Sequence, residues 1–367
     1  MSVYKDISYL HMCYALAEKA IGWASPNPYV GAVIVKNEMI VGHGYHEKPG
    51  KPHAEAVALN KAGSKAKNAT AYINLEPCVH WGRTPPCIDK ILESELQRVV
   101  ISSMDPNPLV NGKGVEKMRK AGIKVSLGLL EEKNNRLNEA YFKYIQTKVP
   151  FVTLKAAVSL DGKTATKTFS SKWISSPQTR EYMHLIRGEH DAIMVGINTI
   201  LKDDPQLTVR HPGWPGKKII RVILDSNLRI PLKSKILSTL SKGNILIFTL
   251  KRSSSEKKDM LEKQGVKVIS TPEKNNKVDL KKVLDWLGEN HISSVLVEGG
   301  SFLHTQILES KTADKIILSI SPKLVGGQQA PCFFQGKGIE IMSESMKLKN
   351  IKTIKIGSDI IAQGYLH

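Results

Sequence analysis

Pro52-His53-Ala54-Glu55, then Leu75-Glu76-Pro77-Cys78, then Gly82-Arg83-Thr84-Pro85-Pro86-Cys87, form the stretch whose reading decides the first half of the fold. It supplies one imidazole, two thiols and one carboxylate. Zn²⁺ favours imidazole nitrogen and thiolate sulfur in a tetrahedral shell, and a catalytic site uses three protein ligands so that the fourth position holds water. His53, Cys78 and Cys87 make three. Water bound to zinc ionises near neutral pH when a base is at hand to collect and redeliver the proton. Glu55 is the candidate catalytic base. The alternative, two ordinary buried cysteines, leaves the coincidence with His-Ala-Glu and with both proline junctions unexplained.

Local structure supports the metal. Pro52 to Leu59 reads as the first turns of a helix, and Ala69 to Glu76 as a strand. Pro77 and Pro85-Pro86 suit first helical positions, so Cys78 and Cys87 are expected near helix N-termini, where the macrodipole favours thiolate. The pattern is similar to the H-x-E with P-C-x-x-C arrangement of zinc nucleobase deaminases, in which the glutamate is an acid/base and not a ligand. Here eight residues, Val79 to Pro86, separate the cysteines instead of two. That insertion is expected to lie in the substrate pocket.

At 367 residues the chain exceeds the usual single-core size, so two domains are expected. No apolar run approaches the roughly 20 residues that span a bilayer, and no signal-peptide pattern opens the chain, so a cytoplasmic enzyme without a membrane partner is expected. Cys13 and Cys332 are far apart and suggest no disulfide framework. The net charge of +19 attracts anions in general. Its lysines fall in loops and exposed helices without aromatic interleaving, which favours a solvated basic surface over a nucleic-acid partner.

The first 145 or so residues alternate helix and strand as an α/β layered domain: a helix near Asp6 to Ala20, strands at Tyr29 to Val35 and Met39 to Tyr45, the His-Ala-Glu helix, and later strands at Val99 to Ile101 and Ile123 to Val125. Thr147-Lys148-Val149-Pro150 reads as a boundary. A second α/β pattern follows, with a strand from Phe151 and a helix capped by Ser176-Pro177 that runs to Arg187 and stops at Gly188. Further strands are expected at Asp191 to Gly196, Ile219 to Leu224, Asn244 to Thr249, Val266 to Ser270, Ser294 to Glu298 and Lys315 to Ser321.

Asn27-Pro28, Gly44-Tyr45-His46, the zinc motifs, Asp105-Pro106-Asn107-Pro108, Ser159-Leu160-Asp161-Gly162, Trp173-Ile174, the run Asp203 to Arg210, Val297-Glu298-Gly299-Gly300 and the run Pro322 to Gly327 together resemble one family, the bifunctional riboflavin-biosynthesis deaminase–reductases. The long cysteine spacing agrees with it. The resemblance implies a cytidine-deaminase-like three-layer α/β/α domain over 1–147, carrying one zinc, and a dihydrofolate-reductase-like α/β domain over 148–367 that uses NADPH.

For the first domain the resemblance implies hydrolytic deamination at ring C2 of a diaminopyrimidinone ribotide, with Asn27, His46, Arg83, Asp105 and Asn107 on the substrate. For the second it implies reduction of the ribosyl group to ribityl. Ala157, Trp173, Thr199, Asp203, Ser226 and Gly299-Gly300-Ser301 are the implied cofactor contacts, with Asp203 also a candidate proton donor. Lys155, Ser171, Arg187, Leu207, Arg210 and Glu298 are on the implied substrate side. No G-x-G-x-x-G fingerprint is present, so an ordinary Rossmann site is not expected. Lys251 and Arg252 are candidates for the group that selects NADPH over NADH. The implied partners are phosphorylated ribosylaminopyrimidines, and the implied assembly is a homo-oligomer.

Two rival readings differ in class. One is a deaminase of a nucleoside or tRNA base with an RNA-binding second half, against which the absence of stacking aromatics argues. The other is a structural zinc module, which needs a fourth ligand such as His80.

Overall fold

The computed structural model describes residues 3–214 and 216–366. It divides between Val149 and Pro150 into two compact units.

The N-terminal unit runs α1 (Val3–Ala17), β1 (Gly31–Lys36), β2 (Met39–Tyr45), α2 (Ala54–Ala62), β3 (Thr70–Leu75), α3 (Cys87–Glu93), β4 (Arg98–Ser103), α4 (Lys113–Lys120), β5 (Lys124–Leu127), α5 (Glu131–Leu137) and α6 (Glu139–Thr147). The sheet order is β2-β1-β3-β4-β5. β1 pairs antiparallel with β2 and β3, while β3, β4 and β5 are parallel. Alternation along β1 sorts the two faces. Ala32 and Ile34 pack with Ala54, Ala58, Ile88, Ile91 and Met118 from α2, α3 and α4. Val33 and Val35 pack with Leu10, Cys13 and Tyr14 of α1. Three layers result, with apolar cores on both sides of the sheet.

The C-terminal unit runs β6 (Phe151–Ser159), α7 (Pro177–Glu189), β7 (Ala192–Gly196), α8 (Ile197–Asp203), β8 (Ile220–Leu224), β9 (Ile245–Leu250), α9 (Ser255–Lys263), β10 (Lys267–Thr271), β11 (Glu273–Lys274), β12 (Lys277–Val278), α10 (Leu280–Glu289), β13 (Ser294–Val297), α11 (Ser301–Glu309), β14 (Lys315–Ser321), β15 (Lys349–Ile356) and β16 (Asp359–Tyr365). Nine strands form one sheet in the order β10-β9-β8-β7-β13-β6-β14-β16-β15. The seven from β10 to β14 in that order are parallel, and β16 joins β14 antiparallel. Parallel strands covered on both faces read as continuous apolar runs, which is why β7, β8 and β9 were visible in the sequence.

Three local expectations change. Pro77 opens no helix, and Cys78 lies in the loop that leaves β3. The helix capped by Ser176, whose Oγ accepts from Thr179 N–H, passes through Gly188 to Glu189. The β15–β16 hairpin was not anticipated, because β15 is exposed along nearly its whole length and lacks an apolar run. Within β8, Arg221 is 0% exposed. Its guanidinium donates to Gln206 O and Ile236 O and to Thr239 Oγ1, so it ties the 206 segment and the turn after β8 to the sheet.

α2 lies close over β2. A Cβ added at Gly42 would fall 2.2 Å from Ala58 O, a backbone atom that moves only if the helix does. Gly42→Ala therefore pushes α2 off the sheet, and overpacking of this kind costs about 1–3 kcal/mol. Urea unfolding of the whole chain checks it; an unchanged midpoint contradicts it.

Candidate functional site

In the N-terminal unit three elements converge. His53 is the N-cap of α2, Cys78 follows β3, and Cys87 is the first residue of α3. His53 Nδ1 lies 3.2 Å from Cys87 Sγ and 3.5 Å from Cys78 Sγ. Their ligand atoms all fall within 4.8 Å of one another. A tetrahedral zinc with Zn–S about 2.3 Å and Zn–N about 2.0 Å has N···S edges of about 3.5 Å. The donor set fits zinc in kind and in spacing. His80 is not part of the cluster, so a closed four-ligand site does not form among the described residues.

The second layer holds the ligands in place. Thr84 Oγ1 sits 3.2 Å from His53 Nε2, leaving Nδ1 for the metal. Cys87 N–H donates to Cys78 Sγ at 3.3 Å, so the start of α3 faces that sulfur although Cys78 itself is outside a helix. The Cys87 side chain, with help from His53 and from the Cys87 N–H, pulls the Cys78 thiol down to about 4 against burial. Glu55 is 5% exposed in the first turn of α2, and burial pushes its carboxyl up to about 7.

Asn27 and His46 sit at this centre. His46 Nδ1 is 3.2 Å from Pro52 O, which can only accept, so Nδ1 carries the hydrogen and Nε2 accepts from Asn27 Nδ2 at 2.9 Å. The His46 ring stands edge-on to His53 with centroids 5.1 Å apart. Burial lowers the pKa of His46. Asp105 and Asn107 follow β4; Asp105 Oδ1 accepts from Asn107 N–H at 2.9 Å. Arg83 is exposed on the loop between the two cysteines.

Sequence reading missed two supports. Tyr141 on α6 donates to the Asp105 carboxylate at 3.0 Å, and burial pushes that carboxyl up to about 6. Glu76, 3% exposed, accepts backbone N–H groups from Asp105 at 3.3 Å, Gly112 at 2.9 Å, Gly114 at 2.9 Å and Val115 at 3.2 Å. One carboxylate thus fixes the loop that carries Asp105 and Asn107. Its partners are all main-chain groups, which no side-chain pattern announces.

In the C-terminal unit a cavity of about 1150 Å³ opens at the carboxyl ends of β6, β7, β8 and β13. The residues singled out there as substrate or cofactor contacts line it, except Leu207, which is 4% exposed and packs in the core against β7 and β8. Arg187 donates Nε–H and Nη2–H to the two oxygens of Glu298 at 2.9 and 2.8 Å. Lys155 Nζ stands 3.7 Å from the same carboxylate. Burial works to raise the Glu298 carboxyl, but Arg187 and Lys155 hold it below the usual carboxylate range. Arg187 also donates to Thr208 O at 2.7 Å, which ties α7 to the Asp203 to Arg210 run. His184, one turn before Arg187, accepts from Arg210 N–H at 3.3 Å; burial and the two arginines hold it down at about 4, so it is neutral.

Gly300 is the N-cap of α11, and a Cβ there would meet nothing within 4 Å. Open space therefore borders the backbone at a helix N-terminus, a cradle suited to phosphate. Lys251 and Arg252 do not line the cavity, and Arg252 is paired with Glu273.

Residues 3–103 match the model of the cytidine and deoxycytidylate deaminase zinc-binding region, and residues 150–362 match the RibD C-terminal domain. The chain is 46% identical over 356 residues to riboflavin biosynthesis protein RibD of Aquifex aeolicus, covering 97% of each chain. It is 37% identical to RibD of Escherichia coli K12, covering 97% of this chain and 98% of that one. Among solved structures, Acinetobacter baumannii RibD form 1 superposes with a TM-score of 0.89 at 35% identity over 100% of both chains. A diaminohydroxyphosphoribosylaminopyrimidine deaminase/5-amino-6-(5-phosphoribosylamino)uracil reductase from Thermotoga maritima gives 0.86 at 34% identity over 99% of both.

Removing one partner of a buried ion pair costs about 3–5 kcal/mol. Arg187→Ala should destabilise the chain on that scale, and adding Glu298→Gln should restore part of the loss. Because the folded carboxyl is held below its ordinary 4.5, the stabilisation is present above pH 4.5 and is lost as pH falls below it. Denaturation of both variants at pH 7 and pH 4 checks this; a double variant no more stable than Arg187→Ala at pH 7 contradicts it.

Proposed function

Since the chain belongs to the RibD family of bifunctional riboflavin-biosynthesis deaminase–reductases, we propose that its N-terminal unit deaminates 2,5-diamino-6-ribosylamino-4(3H)-pyrimidinone 5′-phosphate and that its C-terminal unit reduces the resulting ribosylaminouracil phosphate. The cytidine-deaminase-like and dihydrofolate-reductase-like folds both belong to that family. The protein is an enzyme with a zinc-dependent hydrolase half and an NADPH-dependent reductase half.

The observation that carries the first step is the convergence of His53, Cys78 and Cys87 beside the buried Glu55. Zinc held by those three ligands would supply an activated water. Glu55 is placed to take a proton from water, pass it to the ring nitrogen next to C2 and then assist the departing ammonia, so that C2–NH₂ and water would become C2=O and NH₃. His46 and Asn27 form a fixed neutral pair in which the orientation of the Asn27 amide is set. Asp105 and Asn107, anchored through Glu76, offer acceptors and donors for the ring edge and ribose, with Arg83 on the exposed loop between the cysteines available to the phosphate.

For the second step, NADPH bound in this cavity would supply hydride to C1′ of the opened sugar. Lys155 and Glu298 face the ribose hydroxyls, with Glu298 oriented by Arg187. Arg210, which forms no ion pair with an acid among the described residues, is left to face the substrate phosphate. The Gly299-Gly300-Ser301 amides at the start of α11 suit the cofactor pyrophosphate, while Ala157, Ser171, Trp173, Thr199, Asp203 and Ser226 line the same cavity. Leu207, packed in the core against β7 and β8, is not among the proposed direct contacts.

The described residues include no helix long and apolar enough to cross a membrane. The cytoplasm is the compartment proposed, supported by ligand thiols that must stay reduced. A homo-oligomer without a nucleic-acid partner is proposed on the family resemblance.

Glu55→Gln tests the assignment. It should lower ammonia release by roughly 10²- to 10⁴-fold while NADPH oxidation on already deaminated substrate continues and zinc content stays at one per chain. Ammonia release at the wild-type rate would remove Glu55 from the chemistry.

A further inference from the structure

The N-terminal unit has a cavity of its own at the side of its sheet, about 350 Å³ in volume. None of His53, Cys78, Cys87, Glu55 or His46 borders it, so it is separate from the zinc centre. β2 is the outer strand of the sheet, and among the described residues no further strand pairs with its outward backbone groups. The cavity wraps this edge. His43 lies opposite Val33, whose side chain packs on α1, so His43 and Tyr45 face the α1 side, where Leu16 and Lys19 join them. Gly44 faces the other way: a Cβ there would fall 2.6 Å from Val57 of α2. Val57 and Lys61, one turn apart on α2, line that side.

The lining is cationic at its rim and apolar beneath. Lys19, Lys51 and Lys61 are exposed, and among the described residues none of them forms an ion pair; Glu47 is the single acid in the lining. Leu16, Tyr45 and Val57 are half-buried and form the wall. The backbone that presents Lys51 is fixed. Lys51 N–H donates to Lys48 O at 3.1 Å across a turn whose left-handed position is filled by Gly50 at φ +84°. His46 Nδ1 donates to Pro52 O at 3.2 Å, closing the loop at its neck, and Pro52 itself lines the cavity.

We propose that this cavity is a second small-molecule site, which takes a phosphate monoester bearing a small planar ring. The phosphate is met by Lys19, Lys51 and Lys61, and the ring lies against Tyr45 and the apolar wall. Lysine meets phosphate as a point charge, and three lysines with no acid of their own suit a compact dianion. The volume lies at the lower end of the roughly 300–1,000 Å³ of ligand pockets, which fits a mononucleotide and excludes a dinucleotide.

The test is acetylation footprinting of the lysines of the zinc-loaded full chain, read by mass spectrometry, with uridine 5′-phosphate or uridine as the protecting probe. Uridine 5′-phosphate should slow acetylation of Lys19, Lys51 and Lys61 and leave Lys65 and Lys117, exposed elsewhere on the same unit, at their original rates. Uridine should protect none of them. Lys51→Gln combined with Lys61→Gln should raise the concentration that half-protects Lys19 by roughly 10-fold or more, the loss expected for hydrogen bonds to a charged group, while NADPH oxidation on already deaminated substrate is unchanged. Four results overturn the inference: no protection at millimolar probe, equal protection of Lys65 and Lys117, which would mark general screening by an anion, equal protection by uridine, or undiminished protection of Lys19 in the double variant. The wild-type comparison of the two probes decides the matter even where the variant is unstable.

Discussion

Parallel strand pairing is the constraint on which both halves depend. In a parallel ladder every strand ends on the same edge of the sheet, and the loops that leave those ends converge there. In the N-terminal unit β3 and β4 run parallel; one delivers Glu76 and Cys78 and the other Asp105. In the C-terminal unit β7, β8 and β13 run parallel and deliver Thr199, Ser226 and Glu298 with the glycines after it. Residues far apart in sequence thus meet because of the hydrogen-bond pattern of the sheet, and the two chemistries differ in what the loops carry.

Each unit also buries an anion behind its site, and the two solve the desolvation problem differently. Glu76 is surrounded by four main-chain N–H groups, so its charge is met by dipoles that cannot be substituted away. Glu298 is met by a fork from Arg187 and a more distant Lys155, both side chains. The first arrangement serves position alone, since it locks the loop that bears Asp105. The second keeps a charged carboxylate at the wall of the cavity, where its orientation is available to a ligand.

The metal centre was legible in the sequence because zinc demands particular atoms, and imidazole, thiol and proline junctions stand out within a short span. The layered α/β architecture was legible because β7, β8 and β9 are apolar runs bounded by turns. The residues around Arg187 and Glu298 came from family motifs; their mutual pairing, across 111 positions, is a tertiary fact. Tyr141 escaped notice because it acts from a helix that carries no motif, and Thr84 because a hydroxyl in a loop has many uses. Cys78 was placed at a helix start on the strength of Pro77, whereas the helix that faces its sulfur begins at Cys87.

The most direct test of the account is anaerobic turnover of the diaminopyrimidinone ribotide by the zinc-loaded wild-type chain, with ammonia and NADPH followed in the same vessel. Two sequential chemistries on one chain require equal final amounts of ammonia released and NADPH oxidised, with NADPH oxidation lagging behind ammonia. Ammonia without NADPH oxidation, or NADPH oxidation that proceeds without ammonia, would contradict it.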